Sequence, residues 1–132
     1  MRKLKYYFYT LSFILIFAGC EKEEELLEGV WQRVIIEDIN SNNTEEWHFI
    51  DGELIIKKIN MSDPSDVDTM DTGIYVLKPV FENTYLAVDE LKQEGYIGYN
   101  ADWDVLTLNS EQMVISHDVY GGITKREFIK IE

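Results

Sequence analysis

The chain has one cysteine and two histidines in 132 residues, and only 12 basic side chains against 25 acidic ones. A single cysteine excludes an intramolecular disulfide, so stability must come from apolar burial and sheet pairing. The shortage of Lys and Arg excludes nucleic acid as a partner, because phosphate binding needs clustered positive charge. No Gly-X-Ser-X-Gly elbow, no His-Glu-X-X-His and no glycine-rich phosphate loop occurs, so the motifs of common hydrolases and nucleotide enzymes are missing. His48 and His117 stand far apart and read as surface or half-buried side chains rather than as bases or ligands. Carboxylates are so numerous that any two can meet after folding, and none marks a catalytic pair. The expectation is a protein that is not an enzyme and holds neither cofactor nor resident metal.

What is present first is an address. Met1-Arg2-Lys3-Leu4-Lys5 precedes an apolar run from Tyr6 to Phe17, closed by the small residues Ala18 and Gly19 and then Cys20. Cations, a short apolar run and small residues in that order form a secretory signal. The run is well short of the roughly 20 apolar residues that span a bilayer. Phe17-Ala18-Gly19-Cys20 resembles the lipobox of bacterial lipoproteins, with phenylalanine where leucine is usual. That resemblance implies that residues 1–19 are a signal peptide and that Cys20 is acylated as the first mature residue. The protein would then be lipid-anchored in the bacterial cell envelope, on the outer membrane, at its periplasmic face or at the cell surface. An ordinary signal peptide with a chance cysteine at its end is the alternative. With Cys20 acylated, thiol catalysis is excluded from the mature domain. Removing residues 1–19 takes away three of the 12 basic side chains and none of the 25 acids, so the mature chain is still more acidic.

Glu21-Lys22-Glu23-Glu24-Glu25 cannot pack, and residues 20–28 read as a solvated acidic tether. A short turn of helix over Glu23 to Glu28 suits acids placed near a helix N-terminus. Lys22-Glu23-Glu24 also resembles the lysine-and-acid tag that routes some lipoproteins to the cell surface; a spacer holding the domain off the membrane is the other reading.

From Gly29 to Glu132 the periodicity is two, and Val, Ile, Thr, Tyr and Trp recur between turn signals. The segment is all-β. Strands are expected at Val30 to Ile39, Glu45 to Ile50, Glu53 to Ile59, Thr72 to Lys78, Thr84 to Asp89, Gly95 to Asn109 with a bulge at Asn100-Ala101-Asp102, Met113 to Tyr120, and Ile123 to Ile131. Asp51-Gly52 is a two-residue hairpin signal, which pairs Phe49 with Leu54, Trp47 with Ile56, Glu46 with Lys57 and Glu45 with Lys58. Trp47, Phe49, Leu54 and Ile56 then share one face, and His48, Ile50 and Ile55 the other. Gly121-Gly122 is taken as a second such turn, setting Asp118 against Lys125, His117 against Arg126 and Ile115 against Phe128. Consecutive hairpins without helical crossovers leave a sandwich or a closed barrel, and closure removes aggregation-prone edges. The expected fold is an eight-stranded antiparallel up-and-down β-barrel over residues 29–132.

Gly29-Val30-Trp31 at the start of the first strand, and the spacing of Trp103-Asp-Val105-Leu-Thr-Leu108, Met113-Val-Ile115 and Arg126-Glu-Phe128-Ile-Lys130, resemble the lipocalin-like domains of bacterial lipoproteins. The resemblance implies a barrel with Gly29 and Trp31 as its structural signature, the tryptophan plugging one end. It also implies a basic residue stacked on that tryptophan, for which Arg126 and Lys130 both qualify. No Thr-Asp-Tyr motif of true lipocalins is present.

Two readings of function lead, ahead of a hydrolase or isomerase that would need convergent polar groups inside a pocket. One is a lipid-anchored binding module for a small apolar or amphipathic ligand, or a glycan, at the barrel mouth or interior; Trp47, Phe49, Leu54, Ile56, Tyr85 and Tyr99 are its candidate contacts. The other is an envelope accessory protein with a solid barrel and no small-molecule ligand, which binds another envelope protein through its outer face or loops. A cavity would favour the first, and an exposed apolar patch without a pocket the second. Asp63, Asp66, Asp68 and Asp71 fall in a segment read as the longest loop. Dense oxygen ligands suit Ca²⁺, but the spacing does not fit the Asp-X-Asp-X-Asp-Gly loop, so a solvated flap near one mouth is expected.

Overall fold

The computed structural model describes residues 22–34, 43–119 and 121–132. The expected signal peptide and Cys20, the expected strand residues 35–39 and Tyr120 lie outside the described residues. Eight strands follow in order: β1 Gly29–Arg33, β2 Asn43–Ile50, β3 Glu53–Asn60, β4 Asp63–Val80, β5 Asn83–Asp89, β6 Ala101–Leu108, β7 Gln112–Val119 and β8 Gly122–Lys130. Each pairs antiparallel with the next and β8 pairs back on β1, closing an up-and-down barrel. Among the described residues no helix is long and apolar enough to cross a membrane.

The β2–β3 hairpin adopts the expected register pair by pair. Asp51 and Gly52 both take positive φ, 49° and 84°, as a type I′ turn demands. Trp47, Phe49, Leu54 and Ile56 point inward while Ile50 and Ile55 face outward. The β7–β8 hairpin is slipped by two residues from expectation. Asp118 pairs with Ile123, Ile115 with Arg126 and His117 with Thr124, and Val119 with Gly122 is the last pair before the turn. Lys125 meets Glu127 at 2.7 Å rather than Asp118. A slip of two leaves every side chain on its expected face.

Two segments differ in kind. Residues 95–100, expected as strand, form a turn and the 3₁₀ turn Ile97–Tyr99 across one mouth. The bulge falls later, between Val105 and Thr107. The acidic Asp63–Asp71 segment is no loop but the first half of the 18-residue β4, paired to β3 with Lys58 opposite Asp68. This half is almost wholly exposed, so the β3–β4 hairpin projects beyond the wall as a flap.

The barrel is plugged where β1 begins. A short helix, α1, over 22–27 keeps its acids toward water and turns Leu27 into the core. Its last carbonyls are capped from the barrel: Trp31 Nε1 donates to Leu27 O at 2.6 Å and Lys130 Nζ to Leu26 O at 2.9 Å. Gly29 sits at φ 123°, and a Cβ there would lie 2.3 Å from the Glu132 carbonyl oxygen. The conformation and the close approach both require glycine. Lys130, not Arg126, supplies the cation over Trp31, at 5.2 Å from the ring centroid.

Candidate functional site

Inside the wall, alternation along every strand delivers apolar side chains to one core. Trp31, Trp47, Phe49, Leu54, Ile56, Leu86, Trp103, Met113, Ile115 and Phe128 are each at most 1% exposed. Their rings interlock: Trp47 lies 4.9 Å from Phe128, and Phe49 meets Tyr75 edge-on at 4.9 Å. Four of the six expected ligand contacts, Trp47, Phe49, Leu54 and Ile56, are thus interior packing. Tyr85 is on the opposite side of the wall, since β5 turns Leu86 and Val88 inward and Tyr85 out. Tyr99 sits at the mouth, 5.7 Å from Trp47. The six do not converge on one site.

The mouth opposite α1 is closed by the 90–100 segment. Leu91 is buried beneath it, and Asn100 ties it off by accepting the Leu91 N–H at 3.0 Å and donating to Leu91 O at 2.9 Å. Asp71 Oδ2 accepts the Lys92 and Gln93 N–H groups at 2.8 and 2.7 Å, so the projecting flap latches the cover. Under the cover Tyr99 packs against Tyr96 and Trp103, and its carbonyl accepts Trp103 Nε1 at 2.9 Å. Arg126 stacks beneath Tyr99, its guanidinium carbon 3.8 Å from the ring centroid and 5.3 Å from that of Trp103. Arg33 reaches the same place, 3.4 Å from the Tyr99 hydroxyl and 3.5 Å from Glu45. The Glu45 carboxylate also accepts Trp47 Nε1 at 2.7 Å. His117, expected opposite Arg126, instead lays its ring 5.3 Å from Trp103. Burial, then the nearby Glu45 and Tyr99, pushes the Tyr96 phenol up to about 12. Burial pulls the Arg126 guanidinium down, with the Arg33 charge acting the same way and Tyr99 and Glu45 opposing.

The outer wall carries a second feature. β4 turns Ile74, Val76, Lys78 and Val80 outward, and all three aliphatic side chains are exposed. The stripe runs for about 20 Å, at roughly 3.3 Å per residue, and ends at Phe81 in the β4–β5 turn. Phe81 is 103% exposed and sits at φ 56°. That conformation is left to glycine or asparagine in most turns. Beside the stripe, a shallow groove of about 350 Å³ runs over Ala87 to Asp102, which bridges to Lys78 at 3.3 Å. Acids border it: Asp89, Asp102 and Asp104 on the neighbouring strands and Glu82 at the tip.

Phe81 was not among the expected site residues, and Arg126 was expected only as a candidate cation for Trp31. The alternation of Val76, Lys78 and Val80 was visible in the sequence, but which face it occupied depended on the register. Among the described residues no group of three or more His, Cys, Asp or Glu is placed to hold a metal ion, the Asp63–Asp71 segment included. The arrangement defines a closed eight-stranded barrel with a filled interior, a latched mouth and an apolar outer stripe. No protein-family model, no curated protein and no solved structure matches the chain.

Proposed function

We propose that this is a lipid-anchored, lipocalin-like envelope protein that works through its outside, docking on a partner protein by the β4 stripe and the Phe81 tip. The observation that carries the reading is the filled interior. Three tryptophans and Phe49, Leu54, Ile56, Leu86, Met113, Ile115 and Phe128 occupy the space a carried ligand would need. Eight strands enclose either a small ligand or their own side chains, and here the side chains take the room. An aromatic ring left wholly in water at a strained backbone position suits an anchor that enters a partner's pocket. Aliphatic flanks at Ile74, Val76 and Val80 add apolar area, and the acidic border selects a partner with a basic rim. Acylated Cys20 would hold the barrel at the membrane of the bacterial envelope, with the acids of α1 as a hydrated spacer.

The test replaces Phe81 with a photo-cross-linking phenylalanine analogue in the producing organism, with the same replacement at Ile123 as the control. One discrete adduct at position 81, absent at 123 and lost when Val76→Glu is added, is expected. Equal labelling at the two positions, or no adduct at 81, would contradict the reading.

A further inference from the structure

The buried end of the molecule holds a charge that the docking reading does not use. β8 alternates Thr124, Arg126 and Phe128 inward, so the sequence places a guanidinium inside the wall. Arg126 is only 9% exposed. Buried arginines are normally paired with a carboxylate or saturated with acceptors. Here Nε and Nη1 are both buried and neither has a hydrogen-bond partner. Glu45, the acid whose charge acts on Arg126, is already engaged by Trp47 and Arg33. Among the described residues no ion pair to Arg126 forms, and the rings of Tyr99 and Trp103 lie against its guanidinium.

Arg33 and Arg126 put two positive charges against the Tyr99 ring and hydroxyl, beside the single carboxylate of Glu45. Aromatic walls exclude water and strengthen any ionic contact made between them. The cover is held at its rim by the exposed Asp71 hydrogen bonds and by Asn100, and Glu90, where it leaves β5, has positive φ of 64°. Opening it also lifts Leu91 and the Tyr96 and Tyr99 rings off the core, a local opening of one segment that leaves the barrel wall paired.

We propose that Arg126, assisted by Arg33, is a binding subsite for an oxyanion, the carboxylate or phosphate group of a ligand admitted when the 90–100 cover lifts. The oxygens would accept the Nε–H and Nη1–H that the protein leaves unpaired, as charge-assisted hydrogen bonds. This is independent of the docking surface, which lies on β4 and at the β4–β5 turn.

The test titrates the full chain, purified in mild detergent, with inorganic phosphate and separately with octanoate. Tryptophan emission is the readout, because Trp103 touches the guanidinium. A saturable change with at least one probe is expected, weakened at least tenfold in Arg126→Met and several-fold in Arg33→Gln. Response to phosphate alone points to a phosphate source, and response to octanoate alone to an amphipathic carboxylate. An adventitious response, unchanged in Arg33→Gln and in a folded Arg126→Met, overturns the proposal, as does no saturable response to either probe. Should Arg126→Met fail to fold, Arg33→Gln decides alone.

Discussion

Arg126→Met should make the protein more stable. Methionine fills a similar volume along the same inward path and keeps contact with Tyr99 and Trp103, both of which lie against the guanidinium. What is lost is the cation–π attraction, about 2 kcal/mol at a desolvated site. What is relieved is larger. Two buried donors lack partners, at about 1–3 kcal/mol each, a cost that already includes taking the guanidinium out of water. Less the lost stack, methionine is favoured by up to about 4 kcal/mol, in line with exchanges of buried ionic groups for apolar ones. A domain of this size gains roughly 4–6 °C in Tm per kcal/mol. Circular dichroism melts and urea titrations measure it, and a higher urea midpoint at an unchanged slope would mark a true stability gain. Arg126→Lys should fall below wild type, because it buries a more strongly hydrated cation without the planar stack. A loss of about 1 kcal/mol or more in a folded Arg126→Met would refute the reasoning, and would make the arginine a brace for Tyr99 instead.

Other outcomes follow from the same geometry. Gly29→Ala should cost about 2–4 kcal/mol, from the φ of 123° and the clash with the Glu132 carbonyl, read as a drop in urea midpoint. Ile56→Ala, which hollows the packed interior, should cost about 2–5 kcal/mol. Phe81→Asn should be neutral or stabilising by up to about 1 kcal/mol, read as urea midpoint, since asparagine tolerates positive φ and the ring is wholly exposed. Tyr96 gives an alkaline signature. Its folded pKa is about 12, against 10.0 unperturbed, so the unfolded chain loses that proton first and stability falls as pH rises from 10 toward 12. Tyr96→Phe should flatten the slope, measured as urea midpoint against pH.

Much of the fold was legible because short-range chemistry is strong where it is present. Asp51-Gly52, with Glu45 and Glu46 facing Lys58 and Lys57, fixed the β2–β3 register residue by residue. Gly121-Gly122 offered two ways to centre the second turn, two residues apart in register. Both put Ile115 and Phe128 inside, so hydrophobic pattern could not separate them, and the supposed Asp118–Lys125 pair favoured the wrong one. Residues 95–100 look like strand, with two tyrosines and an isoleucine, yet they pack as a cover because the core beneath Tyr99 is reached from above. Asp63–Asp71 looked like loop because its own residues are polar. Pairing with β3 makes it strand, and that partner is visible only in three dimensions. The candidate sites were the least legible, for the same reason. Arg126 is unusual for what fails to surround it, and Phe81 for the water that does.

That side chains rather than a ligand fill the barrel is open to native mass spectrometry of the chain isolated from its own host. The polypeptide with covalent acyl groups and no apolar molecule held inside is expected. A noncovalent apolar passenger that persists in both wild type and Arg126→Met would require space within the wall, and would contradict it.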